Sequence, residues 1–255
     1  MIKEILQPLV SERFKTEPNY RDGHLRIINA LPERIVMGLH SPEIKQIAKT
    51  LSRENGKEYI GRFEQFPNNQ LSHEECVIWG YLINLERCTL DERLQMLQRY
   101  VPTLDNWAVC DSYCAHAKWM IRADKKQLWA FLQQWFESEH EFEVRFALVT
   151  SMCYFLSEEW LDTLFARLET IDTDKIKSKY KTLKGKPLSP QQGTVQGTAP
   201  YYVRMGIAWL LATALAKFPD RTREFVRNSQ LPDDIKKLYV RKARESFRTR
   251  KTAAI

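Results

Sequence analysis

The chain of 255 residues has no apolar run approaching the roughly twenty residues that span a bilayer, which excludes a helical membrane protein. Its opening, Met1-Ile-Lys-Glu, lacks the pattern of a secretory signal, so we expect a cytoplasmic protein, in the cytoplasm or nucleoid of a bacterial cell. Glycine is scarce, at nine residues, and proline is absent from long stretches rich in Leu, Glu, Lys, Arg and Ala. That balance disfavours a sheet protein and predicts an all-α one. The five cysteines, Cys76, Cys88, Cys110, Cys114 and Cys153, are odd in number and lack the spacing of a small disulfide-stapled domain, so reduced thiols are expected. Cys110, Cys114 and His116 invite a zinc or Cys/His nucleophile reading. No fourth zinc ligand stands nearby, however, and helical cysteine commonly packs as a small hydrophobe.

Charge is present but unevenly spread. Residues 1–174 carry 20 basic and 27 acidic side chains, whereas residues 175–255 carry 19 basic and 5 acidic. The net charge of +7 is therefore a C-terminal property, and such a field attracts polyanions, nucleic acid before anionic membrane. Six lysines without an acid lie between Lys175 and Lys186, followed by Pro187, Pro190, Gly193, Gly197 and Pro200. This composition predicts a flexible basic insertion at about 175–200.

A short internal repeat runs through the chain: Val77-Ile-Trp-Gly80, Val109-Cys-Asp-Ser112, Val144-Arg-Phe-Ala147 and Val203-Arg-Met-Gly206. Each ends on a small residue, which permits two helices to approach closely. The valines are 32, 35 and 59 residues apart, the last gap holding the insertion. Aromatic residues precede three of them by two places, at Trp107, Phe142 and Tyr201. A helical period of this length predicts paired helices stacked as a solenoid. Leu90–Tyr100, Lys125–Phe136 and Glu158–Leu168 have the apolar spacing of partner helices, and Ser72 and Ser157 stand where helices should start.

Trp107 and Asp111 lie one helical turn apart, so they share a face. Ordinary packing accounts for a buried Trp and a solvated Asp. The repeat, however, puts Arg145, Arg204 and Trp209 in equivalent helices, from which all five residues could converge on one concave face. Two indoles, a carboxylate and arginines beside a basic surface suit a nucleic-acid ligand with a cationic centre.

Four stretches together carry a resemblance: Gly38-Leu-His-Ser-Pro42-Glu-Ile-Lys, Trp107-Ala-Val-Cys-Asp111, Phe142-Glu-Val-Arg145-Phe-Ala and Tyr201-Tyr-Val-Arg-Met-Gly-Ile-Ala-Trp209. From about Tyr20 onward the sequence resembles a divergent branch of the AlkD-like, HEAT-repeat DNA alkylation repair glycosylases. The resemblance implies a single domain over 1–255, a right-handed solenoid with a basic concave groove. It implies a catalytic Asp111, lesion contacts from Trp107 and Trp209, and a DNA contact from Arg145; the repeat adds Arg204 as a second expected DNA contact. The partner expected is double-stranded DNA with alkylated bases, bound by a monomer, with no membrane, metal or organic cofactor involved. Purines alkylated at N3 or N7 are already good leaving groups, so the charge growing at the sugar C1′ is what needs stabilising. A carboxylate about 4 Å away, at an effective dielectric near 20, supplies roughly 4 kcal/mol, on the order of a thousandfold in rate before desolvation. A noncatalytic HEAT-like scaffold that binds nucleic acid or a protein on the same face is the alternative.

Overall fold

A computed structural model describes residues 2–183, 186–187 and 200–252, and among these the chain is helical apart from one short hairpin. Its internal contacts divide it into two compact units, Met1–Lys125 with Thr182–Pro187, and Lys126–Lys181 with Leu188–Ile255. Most of the insertion expected at about 175–200 lies outside the described residues. The flanking hairpin, β1 (Thr182–Leu183) and β2 (Lys186–Pro187), pairs antiparallel with Leu183 opposite Lys186.

The first unit opens with α1 (Lys3–Leu6), α2 (Glu12–Thr16) and α3 (Pro18–Ile28). It continues with α4 (Ser41–Glu64), α5 (His73–Leu85), α6 (Leu90–Tyr100) and α7 (Trp107–His116). Helix α5 lies at its centre, packed against α4, α6 and α7, and is buried from His73 through Ile83. Its start is the one expected from Ser72: the hydroxyl accepts the Glu75 N–H, and the Glu75 carboxylate accepts the Ser72 N–H in return. Four rings then link four helices in series. Phe63 stacks on Trp79, Trp79 meets Tyr100 edge-on, and Tyr100 leans on Tyr113, with centroids 5.2–6.0 Å apart. The small residue of the first repeat explains how α6 comes so near. A Cβ at Gly80 would overlap the Tyr100 hydroxyl and sit 3.0 Å from the ring carbon bearing it.

In the second unit, α8 (Lys125–Phe136), α9 (Glu141–Tyr154) and α10 (Glu158–Glu169) precede α11 (Tyr201–Lys217), α12 (Pro219–Asn228) and α13 (Asp233–Glu245). Helix α11 is the central element here, packed on α9, α12 and α13. Trp129 of α8 meets Phe155 and Trp160 at 5.2 and 5.5 Å, and Phe165 of α10 stacks on Phe225 of α12 at 4.2 Å. The repeat valines Val77, Val109, Val144 and Val203 are all buried, on α5, α7, α9 and α11. Expected partner helices match α6, α8 and α10 to within a residue, while Ser157 precedes α10 in extended backbone without a hydroxyl cap bond. In each unit helices pack against neighbours in sequence, as a repeat of helix pairs requires.

The start of the expected insertion is anchored. Lys177 bridges to His140 and its ammonium reaches Glu139 at 2.5 Å, while Ile176 and Tyr180 are buried. Buried apolar side chains override the lysine-rich composition there.

Replacing Gly80 with alanine should destabilise the fold by about 1–3 kcal/mol through overpacking against Tyr100, read as a lower urea midpoint. The same change at Gly206, where a Cβ would meet the flexible Leu148 Cδ1 at 3.2 Å, should be milder.

Candidate functional site

Helix α7 begins where it does because Asn106 caps it, its side-chain oxygen accepting the Val109 N–H at 3.1 Å. The cap is held by a buried polar network. The Asn106 amide donates to Asp105 at 3.1 Å and meets the His73 ring at 3.4 Å, and Asp105 accepts two bonds from the Arg34 guanidinium at 2.6 and 2.8 Å. Arg34 also donates to the carbonyls of Asn68 and Leu71 at 2.6 Å. Burial, with His24 and Arg34 nearby, pushes the His73 imidazole down to about 3, so it is neutral at physiological pH.

From this start, α7 turns Val109, Cys110, Tyr113 and Cys114 into the core and leaves Trp107, Ala108, Asp111 and Ser112 partly exposed. Trp107 and Asp111 therefore share one accessible face, one turn apart. The indole is fixed at its edge, where its N–H donates to the Ile27 carbonyl at 3.2 Å. That carbonyl lies in the last turn of α3, which ends at Asn29 in left-handed conformation (φ 51°). One turn on, the His116 Nδ1–H donates to the Ser112 carbonyl at 2.8 Å, and the ring packs edge-on against Tyr81.

The glycine motif Gly38-Leu-His has a structural explanation. The N–H groups of Met37, Gly38 and Leu39 converge on the buried Glu74 carboxylate, at 2.7 Å from Gly38. Gly38 has φ +89°, and the Phe14 ring occupies the space a Cβ would need.

Arg145, Arg204 and Trp209 belong to the second unit. Arg145 is 4% exposed, donating to the Tyr202 carbonyl at 2.7 Å with its guanidinium over the Tyr202 ring. Arg204, also 4% exposed, pairs with Asp174 at 2.7 Å and with Asp234. Neither guanidinium faces solvent as a phosphate contact requires; both tie α11 to its surroundings. Residue type did not distinguish these two from exposed arginines. Trp209 differs, being partly exposed and lining a cleft of about 270 Å³ with Thr213, Lys242, Glu245, Ser246 and Arg248.

Glu141 had no place in the sequence reading, although its spacing of four from Arg145 marks a pair. Its buried carboxylate accepts the Tyr202 N–H at 2.7 Å and the Ser178 hydroxyl at 2.5 Å, holding the start of α11. Burial pushes this carboxyl up to about 7, from 4.5 in the unfolded chain. The folded protein thus holds the proton more tightly. The resulting stability is full below about pH 4.5 and is lost as pH rises to about 7. Relative to Glu141→Gln, the native chain should lose roughly 3 kcal/mol across that window in urea unfolding.

Among the described residues no group of three or more His, Cys, Asp or Glu side chains is arranged to hold a metal, and no helix is long and apolar enough to cross a membrane. Cys110 and Cys114 are buried thiols.

Compared with known proteins, the chain matches no curated protein and no solved structure. A family model described as DNA alkylation repair enzyme matches residues 21–179, a span that holds α7 and Arg145 and ends before Arg204 and Trp209. Because that match takes in more than half of its residues, the chain belongs to the DNA alkylation repair enzyme family.

Proposed function

We propose that this member of the family is a DNA N-glycosylase that excises purines alkylated at N3 or N7. The observation that carries the reading is the shared accessible face of Trp107 and Asp111 on α7, inside the span matched to the family. As the C1′–N bond breaks, its electron pair leaves with the cationic base, which departs neutral, and positive charge grows on the sugar. Asp111 stabilises that charge and orients the water whose oxygen bonds to C1′, the released proton passing to the carboxylate or solvent. Trp107 offers its ring face to the sugar and base, a contact worth about 0.5–2 kcal/mol with a cation. Trp209, in the second unit, offers an indole to DNA beside Lys242 and Arg248. Arg145 and Arg204 act by positioning α11, and the phosphate contacts expected of them pass to exposed cations such as Arg241, Arg244 and Arg248.

Those exposed cations also favour a second reading, a noncatalytic nucleic-acid scaffold, because their attraction to DNA does not involve Asp111. The two separate in one assay. Purified protein should release 7-methylguanine or 3-methyladenine from alkylated duplex DNA, and Asp111→Asn should slow release on the order of a thousandfold while leaving DNA affinity within a few-fold. DNA binding without any base release by the native chain would leave only the scaffold. Binding with no dependence on salt would remove both.

A further inference from the structure

The C-terminal turn after α13 presents an aromatic ring to solvent in a setting of positive charge. Phe247 is 81% exposed, the most exposed of the large hydrophobic side chains among the described residues. The segment that carries it is held by specific bonds. Thr249 is buried, and its hydroxyl donates to the Ala243 carbonyl at 2.8 Å, pinning the turn to the last turn of α13. The N–H groups of Thr249 and Arg250 both reach the Ser246 carbonyl, at 3.1 and 2.8 Å, and Thr252 donates to the Thr249 carbonyl at 2.8 Å. Phe247 is thus held outward by a closed turn.

Its surroundings define a partner. Arg244, Arg248, Arg250 and Lys251 are exposed around it, and the Arg250 guanidinium lies 4.7 Å from the Phe247 ring centroid. From Asp233 to Lys251 the chain holds eight basic and three acidic residues. An apolar protein partner would leave these cations desolvated and unpaired. A polyanion whose subunits carry flat aromatic groups satisfies both features at once. The residues flanking Phe247 in sequence, Ser246 and Arg248, line the cleft that contains Trp209, so the turn continues the surface proposed above for DNA.

We infer that Phe247 is a stacking wedge for an unpaired or unstacked base of DNA, with Arg244, Arg248 and Arg250 on the adjoining phosphates. Sequence-tolerant stacking of this kind would let the protein favour duplexes whose bases are already loosened, beyond the fully paired duplex. The inference rests on the DNA reading of the preceding section but not on glycosidic chemistry.

The test compares the full chain with its Phe247→Ala and Phe247→Trp variants by fluorescence anisotropy, on a fully paired duplex and on the same duplex interrupted by a few unpaired nucleotides. Native protein should prefer the interrupted duplex. Phe247→Ala should lose roughly tenfold in affinity for it, with little change on the paired duplex, and Phe247→Trp should keep the preference. Equal losses on both DNAs, or no loss on either, would overturn the wedge. Base release from alkylated DNA is measured on the same preparations. Release without any Phe247-dependent preference defeats the wedge alone, and preference without release defeats the glycosylase reading alone.

Discussion

The ion pair between Arg34 and Asp105 governs the candidate site from beneath. Both side chains are buried, and a buried guanidinium or carboxylate is strongly unfavourable without its partner. Here neighbouring polar groups are drawn into satisfying them: the Asn68 and Leu71 carbonyls on one side, Asn106 and through it His73 on the other. Asn106 is left with one orientation in which its amide meets Asp105 and its oxygen caps α7. The first turn of α7 is thereby set, and with it the face that bears Trp107 and Asp111. Burial also keeps His73 neutral, so no second positive charge competes with Arg34 for Asp105.

The same device recurs. At the start of α5, Glu74 gathers three backbone N–H groups from residues 37–39, and at the start of α9, Glu141 gathers the Tyr202 N–H that opens α11. In both cases a carboxylate in the first turn of one helix fixes a distant segment of chain, against a desolvation that raises its pKa. Buried charge thus serves architecture, while α13 and the turn after it carry exposed cations that a ligand can reach. The division is clear in the arginines: Arg34, Arg145 and Arg204 are internal fasteners, whereas Arg244 and Arg248 face solvent.

Helical order was readable from the sequence because apolar periodicity and small residues act locally. The three- and four-residue spacing of Leu90–Tyr100 is the amphipathic face of α6, and Gly80 is small for the reason a repeat of close-packed helices demands. The accessible face of α7 was likewise legible, since Trp107 and Asp111 are neighbours on any helix. What could not be read was depth. An arginine three places after an aromatic looks the same whether it meets a phosphate or a carbonyl, and only the long-range partners Tyr202, Asp174 and Asp234 decide that Arg145 and Arg204 turn inward. Phe247 escaped notice for the opposite reason: in sequence it resembles any core phenylalanine, and its exposure follows from the turn pinned by Thr249.

The bond from the Trp107 indole to the Ile27 carbonyl has a consequence for recognition. An indole on a helix surface ordinarily samples several rotamers, and a ligand that stacks on it must first arrest that motion. Here the arrest is done during folding by the C-terminal turn of α3, whose last carbonyls lack helical donors. The ring therefore stands with conformational freedom already removed and its donor already occupied, offering only a π surface to any ligand. Under the glycosylase reading, selection at this position would fall on flatness and positive charge, with hydrogen-bonding pattern invisible to it.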